Sequence, residues 1–219
     1  MTVASLPAVE TFPALEELSC VRAAFVPRIP GIEIDGERDE VLARLRPAHD
    51  ARLDALGFPP RSYAEQVHGA KVAIVDAPTS RPAPGADALA TNSAHVTLGI
   101  YVADCAAIFL LDPVHRAIAL AHSGRKGTEA NILAASVRAL NEHYGSTAGD
   151  LVVVVSPCIR PPHYEIDFAS TIAAQARECG IRRFHDAGIC TASQPDRYYS
   201  YRREKGRTGR MLAALALRG

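Results

Sequence analysis

The 219-residue sequence predicts an α+β fold, and three observations predict it. Apolar runs of strand length follow one another closely between residues 96 and 123. Two stretches of helical periodicity with capping signals come after them. Neither a repeat nor a linker-like change of composition divides the chain, so one domain over 1–219 is expected.

Residues 1–36 carry Pro7, Pro13, Pro27 and Pro30 and read as short strands and turns. From Glu37 to Leu56, the residues Val41, Leu42, Leu45, Leu53 and Leu56 recur at helical spacing. Pro47 is expected to break or restart that helix, because it has no N–H to donate. KVAIVDA (71–77) reads as a strand and PTSRPAPGA (78–86) as a loop. VTLGIYVAD (96–104), AAIFLLD (106–112) and AIALAHS (117–123) read as strands, with DPVH (112–115) turning between the last two. A helix is predicted from about Thr128 to Tyr144, with Ile132, Leu133, Val137 and Leu140 on its apolar face and Gly145 as its stop. LVVVV (151–155) is too apolar for an edge and reads as a central strand. Asp167 is placed to cap a helix over 168–179, closed by Gly180, and a last strand falls near 210–217.

Composition narrows the function. The apolar fraction is 48% and the charged fraction 22%, as in ordinary globular proteins. Lys plus Arg number 24, as do Asp plus Glu, so no global field draws the chain to nucleic acid or an anionic membrane. Small molecules are the expected partners. No basic leader and no apolar run of roughly 20 residues is visible, so a soluble, cytoplasmic protein is expected. Cys20, Cys105, Cys158, Cys179 and Cys190 are odd in number and show no CxxC spacing, which suits reduced thiols.

Candidate chemistry sits at strand ends. His49, His95, His115, His143, His163 and His185 lie in polar or turn contexts and read as surface residues. His68 precedes a glycine just before a strand, His122 ends an apolar strand, and Cys105 stands at a strand junction after Asp104. Imidazole and thiolate both suit zinc, and three protein ligands leave a fourth position open. Asp104 is a candidate to orient a ligand or to accept a proton. By spacing alone the trio is equally compatible with two core histidines and a buried cysteine. HSGRKGT (122–128) reads either as an anion-binding turn at a helix start, with Arg125 and Lys126, or as a solvated turn. The basic, tyrosine-rich run from Arg197 to Arg210 reads as a binding face or a solvated one.

The ordered segments EQVHG (65–69), GADALAT (85–91), VADCAAIFLLDP (102–113), AIALAHSGRKGT (117–128), SPCIRPPHYEID (156–167), CT (190–191) and YYSYRREKGRTGR (198–210) resemble the "laccase-domain" or polyphenol oxidase family. The motifs run over 65–210, with residues 1–60 divergent. The resemblance implies mixed β-sheets sandwiched between helices in four αββα layers. It implies zinc on His68, Cys105 and His122, with Cys105 and His122 also counted among the catalytic residues. It also implies phosphorolysis of adenosine, inosine, guanosine and methylthioadenosine, with phosphate as co-substrate, and deamination of adenosine. Arg125, Lys126, Arg202 and Arg203 become candidates for the phosphate, and Tyr201 for stacking on a base. Two departures stand out. The family's HAGWRGT loop is HSGRKGT here, so Arg125 replaces a tryptophan and Lys126 an arginine. The family's TR-GG-S segment is absent, and VPRIPGIEI (26–34) stands near its place. The alternatives are a copper oxidase, disfavoured because no HxH or HCH occurs, and a metal-stabilised binding protein without activity.

Overall fold

The structure is a computed structural model and describes residues 9–219; the part of the N-terminal expectation that falls on 1–8 lies outside them. Two mixed sheets lie face to face. Strands β1 (Val21–Val26), β2 (Arg61–Tyr63), β5 (Thr97–Val102) and β10 (Met211–Leu217) form one, in the order β1-β10-β5-β2. The other, in the order β3-β4-β7-β6-β8-β9, joins β3 (Val72–Ile74), β4 (Ala88–Thr91), β6 (Ala106–Asp112), β7 (Ala117–Ser123), β8 (Val152–Val155) and β9 (Arg183–Asp186). Helix α1 (Pro13–Glu16) packs near β1, and α2 (Arg38–Ala55) near β5. Next come the short α3 (Arg125–Glu129), then α4 (Ile132–Tyr144) and α5 (Phe168–Glu178).

Alternation along the apolar strands builds two cores. Phe109, Leu111, Ile118, Leu120, Val152 and Val154 join the core shared with the four-stranded sheet. Their neighbours Ile108, Leu110, Ala119, Val153 and Val155 face the other way, against Leu133, Leu140 and Ile172 of α4 and α5. Strands buried on both faces lose the polar alternation of surface strands, which is why these segments read as continuous apolar runs. The layers are therefore helix, sheet, sheet, helix, as the family resemblance implies.

Local signals held at the caps. Asp167 accepts from the Ser170 N–H at 2.9 Å, and Gly145 ends α4 at φ 75°. The single helix expected from Thr128 is two. Asn131 takes a left-handed conformation at φ 53°, and its side chain caps α4 by accepting from Ala134 N–H at 3.0 Å. Pro47 does not break α2, which runs unbroken from Arg38 to Ala55. Its ring is exposed, and burial of Val41, Leu42 and Leu45 before it and Leu53 after it offsets the roughly 3 kcal/mol that an interior proline costs.

His49 is not a surface residue. It is fully buried under α2, with its ring 5.7 Å from Tyr101, and neither ring nitrogen has a hydrogen-bond partner among the described residues. Burial lowers its pKa to about 4. The folded protein thus holds this imidazole neutral while the unfolded chain protonates it near pH 6.5. Stability is full above that value and falls as pH drops from about 6.5 towards 4, by on the order of 3 kcal/mol. His49→Leu is expected to flatten this acid limb in urea titrations between pH 4 and 7; an unchanged slope would show that His49 does not cause it.

Candidate metal centre and its cavity

Strand register assembles the centre. β6 and β7 are antiparallel with Ala106 opposite Ser123, so Cys105 and His122 emerge at the same end. β4 runs antiparallel to β7 with Ala88 opposite Ala121, which brings Asp87 beside His122; the His122 N–H donates to the Asp87 carbonyl at 2.7 Å. His68 arrives on the loop between β2 and β3. The ligand atoms of His68, Cys105 and His122 all lie within 4.8 Å of one another. Among the described residues no other group of three or more such side chains converges in this way. The three form a possible metal site, and its residues were named from sequence.

Asp87 holds the geometry, and sequence reasoning missed it. Its carboxylate accepts from three consecutive backbone N–H groups, Val67 at 3.2 Å, His68 at 2.8 Å and Gly69 at 2.7 Å. It also pairs with His122 Nδ1 at 2.9 Å, which leaves Nε2 of that ring for a ligand. The loop it gathers is strained: Gln66 and His68 both sit at φ 64°. Gln66 pins the loop's other side, donating to the Tyr101 carbonyl at 2.6 Å and accepting from the Tyr101 N–H at 3.0 Å. Burial raises the carboxyl pKa of Asp87, but its hydrogen bonds from His122, Gly69 and His68 outweigh that and hold it low. The only signal was Asp87's place in the GADALAT segment.

The electrostatics suit a cation. Burial alone would raise the Cys105 thiol, yet the adjoining His122 and His68 bring it down. Burial alone would lower His122, and the Cys105 thiolate with Asp87 draws it up instead. The pair therefore favours a thiolate, which is the form that binds metal, and an imidazolium, which must shed a proton before His122 can be a ligand. Gly124 lies directly over Cys105: a Cβ there would stand 2.5 Å from Sγ and 3.7 Å from His68 Cδ2.

The trio opens into a cavity of about 590 Å³. Ile159, Tyr164, Phe168 and Tyr201 give it an apolar and aromatic wall. Arg38, Arg125, Arg202, Lys205 and Arg210 bring positive charge. Three expectations change here. Asp104 does not stand free as a proton acceptor. It is 7% exposed, and its two oxygens take hydrogen bonds from Thr191 Oγ1 at 2.6 Å and the Arg202 N–H at 2.7 Å, so it ties distant segments together. Lys126 and Arg203 do not line the cavity: Lys126 is exposed outside it, and Arg203 donates to the Ala192 carbonyl at 3.0 Å. The 122–128 loop enters α3, one short turn in which the Thr128 N–H and hydroxyl both bond to the Gly124 carbonyl at 2.8 Å. Arg125, Arg202 and Tyr201 do line the cavity. Tyr164, Phe168 and Arg38 were not singled out from sequence, and Arg210 entered only as the end of the basic run.

Fold and trio together define an αββα protein with a three-donor centre open to a cavity. The chain belongs to the family described as "multi-copper polyphenol oxidoreductase laccase", which it matches over residues 37–170 and 163–218. This is the family that the ordered motifs resemble. A relative in Streptomyces coelicolor, named purine nucleoside phosphorylase SCO2081, is 32% identical over 176 residues, 68% of this chain and 72% of that protein. Another in Deinococcus radiodurans, named purine nucleoside phosphorylase, is 31% identical over 220 residues, 85% of this chain and 82% of that protein. The crystal structure of YlmD from Geobacillus stearothermophilus superposes with a TM-score of 0.81 at 22% identity, covering 95% of this chain and 94% of that one, which is a likeness of fold. No helix among the described residues is long and apolar enough to cross a membrane.

Proposed function

We propose that this protein is a zinc-dependent purine nucleoside phosphorylase with adenosine deaminase activity. The observation that carries the reading is the His68–Cys105–His122 trio at the floor of a cavity walled by aromatic and cationic side chains. The names of the relatives point to the same chemistry. Adenosine, inosine, guanosine and methylthioadenosine are the proposed substrates, with phosphate as second substrate.

The donor set fits zinc: two imidazoles and a thiolate held within bonding reach of one ion, with the cavity side left open. Such an ion would supply Lewis acidity beside the bound nucleoside. The chain's own residues do the rest. Tyr201, Tyr164 and Phe168 offer aromatic rings against which a purine stacks. Asp87 fixes the His122 ring, and Asp104 fixes the backbone on which Cys105 and Arg202 ride.

The redox alternative has one observation in its favour, since two histidines and a cysteine also bind mononuclear copper. Such sites add a weak axial ligand, usually methionine, and no methionine lines this cavity. Metal analysis of protein purified without added metal separates the two: zinc is expected, and stoichiometric copper would overturn the choice.

Inosine and adenosine, incubated with and without phosphate and followed by chromatography, test the activity. Phosphate-dependent release of hypoxanthine or adenine is expected, together with inosine from adenosine. No turnover of any purine nucleoside by zinc-loaded protein would sink the reading. Cys105→Ser is expected to lose its zinc and all measurable turnover; a variant that keeps both would sink the assignment of the centre.

A further inference from the structure

We propose that Arg210 and Arg38 form the oxyanion subsite of the cavity and hold a phosphate group there. This rests on the phosphorylase reading and assigns the second substrate a place that the motif candidates do not.

Charge neutralisation separates the cations that line the cavity. Arg125 pairs with Glu129 at 2.9 Å, and Arg202 with Glu165 at 3.0 Å; all four side chains are more than half exposed. Their charge is already answered on the protein surface. Lys205 has no carboxylate partner among the described residues either, but it stands exposed to water. Arg38 pairs only with Asp39, at 3.9 Å and almost fully in solvent, and donates to the Glu65 carbonyl at 3.4 Å. Arg210 has no carboxylate partner among the described residues, although it is only partly exposed. Its Nη1 donates to the carbonyls of Thr208 at 3.0 Å and Gly209 at 2.9 Å, which orients the group without cancelling its charge. Nε and Nη2 make no hydrogen bond to the described protein, and Arg210 lines the cavity.

A guanidinium taken from water without a counterion is costly, and a second one facing it adds repulsion. Arg38 and Arg210 line the same cavity, and burial first and the charge of Arg38 second lower the Arg210 pKa against the opposing pull of Cys105, Tyr201 and Asp104. Asp104 is the one carboxylate among the described residues that line this space, and its single charge stands against those of Arg38, Lys205 and Arg210. The cavity therefore carries unanswered positive charge next to its metal-ligand floor. A guanidinium fork grips an oxyanion through two oxygens, and a tetrahedral phosphate has enough oxygens to engage two forks at once.

The test uses zinc-loaded full-length protein and orthophosphate alone, titrated by calorimetry and by 31P NMR line broadening, so that binding is read without turnover. Arg210→Gln and Arg38→Gln are each expected to weaken orthophosphate binding roughly ten- to hundred-fold, with Arg210→Lys between them and wild type. Lys126→Gln, outside the cavity, is expected to bind as wild type does. In steady-state assays the KM for phosphate should rise while the KM for nucleoside stays within about two-fold. Stronger binding of a nucleoside 5′-monophosphate than of orthophosphate, lost equally in both variants, would support the subsite and assign it to a phosphate ester. Orthophosphate binding unchanged in folded Arg210→Gln and in Arg38→Gln would overturn the proposal; should Arg210→Gln fail to fold, the partly exposed Arg38 decides alone. A wild type that binds phosphate through these arginines yet turns over no nucleoside would instead sink the phosphorylase reading and leave the subsite standing.

Discussion

Gly124→Ala is expected to empty the metal centre of a protein that still folds. The β6–β7 register sets position 124 against Cys105, and an alanine Cβ would stand 2.5 Å from Sγ. That separation is far inside van der Waals contact, so the thiolate must turn away. Gly124 has φ −94° and ψ −167°, an extended conformation open to any residue, so the substitution adds no backbone strain. The clash therefore falls on a ligand rather than on the chain. Metal–ligand distances tolerate about 0.2 Å, so loss of metal affinity by a hundred-fold or more is expected. Stability of the metal-free protein should change by about 1 kcal/mol or less. Metal content after dialysis and thermal melting with and without zinc check this. A Gly124→Ala protein that keeps one tightly held zinc would show that the cysteine is not a ligand in the position described.

Asp87→Ala is expected to damage fold and centre together. Three consecutive N–H groups and the His122 ring converge on one carboxylate that is fully buried. Each donor left without a partner costs roughly 1–3 kcal/mol, and the costs overlap because the loop moves as a unit. A loss of roughly 3–5 kcal/mol in urea unfolding is expected, with zinc affinity down about ten- to hundred-fold. Asp87→Asn should recover little, since its amide brings an N–H towards groups that are themselves donors. The two predictions differ in kind: Gly124→Ala separates binding from stability, and Asp87→Ala couples them. Asp87→Ala with wild-type stability would mean that the 67–69 loop is held by other contacts.

The legible parts of this protein were those whose causes lie near in sequence. Strands β6, β7 and β8 declared themselves by apolar runs, and Asp167 and Gly145 announced helix ends by residue type. Short strands such as β2, β4 and β9 did not, because three or four residues carry too little periodicity without a β-branched apolar run like that of β8. His49 looked like a surface residue because its neighbours along α2 are polar and charged; the sheet beneath decided its burial. Pro47 is a local helix breaker, and it was overruled by packing on both sides of it.

The same division runs through the site. Residue types and ordered motifs were enough to name His68, Cys105 and His122, since thiolate and imidazole carry their metal preference wherever they stand. The motifs also brought Arg125, Arg202 and Tyr201 to the cavity, but not which cation is free to act there. That depends on Glu129, Glu165 and the absence, among the described residues, of a carboxylate paired with Arg210, contacts set by how loops from distant parts of the chain meet. Asp87 likewise gains its role only when β4 lies beside β7. Sequence alone thus determined which groups can bind a metal, because that is a property of each side chain. Tertiary structure decided which groups hold them and which charges remain unanswered, because hydrogen bonding and neutralisation depend on distance in space.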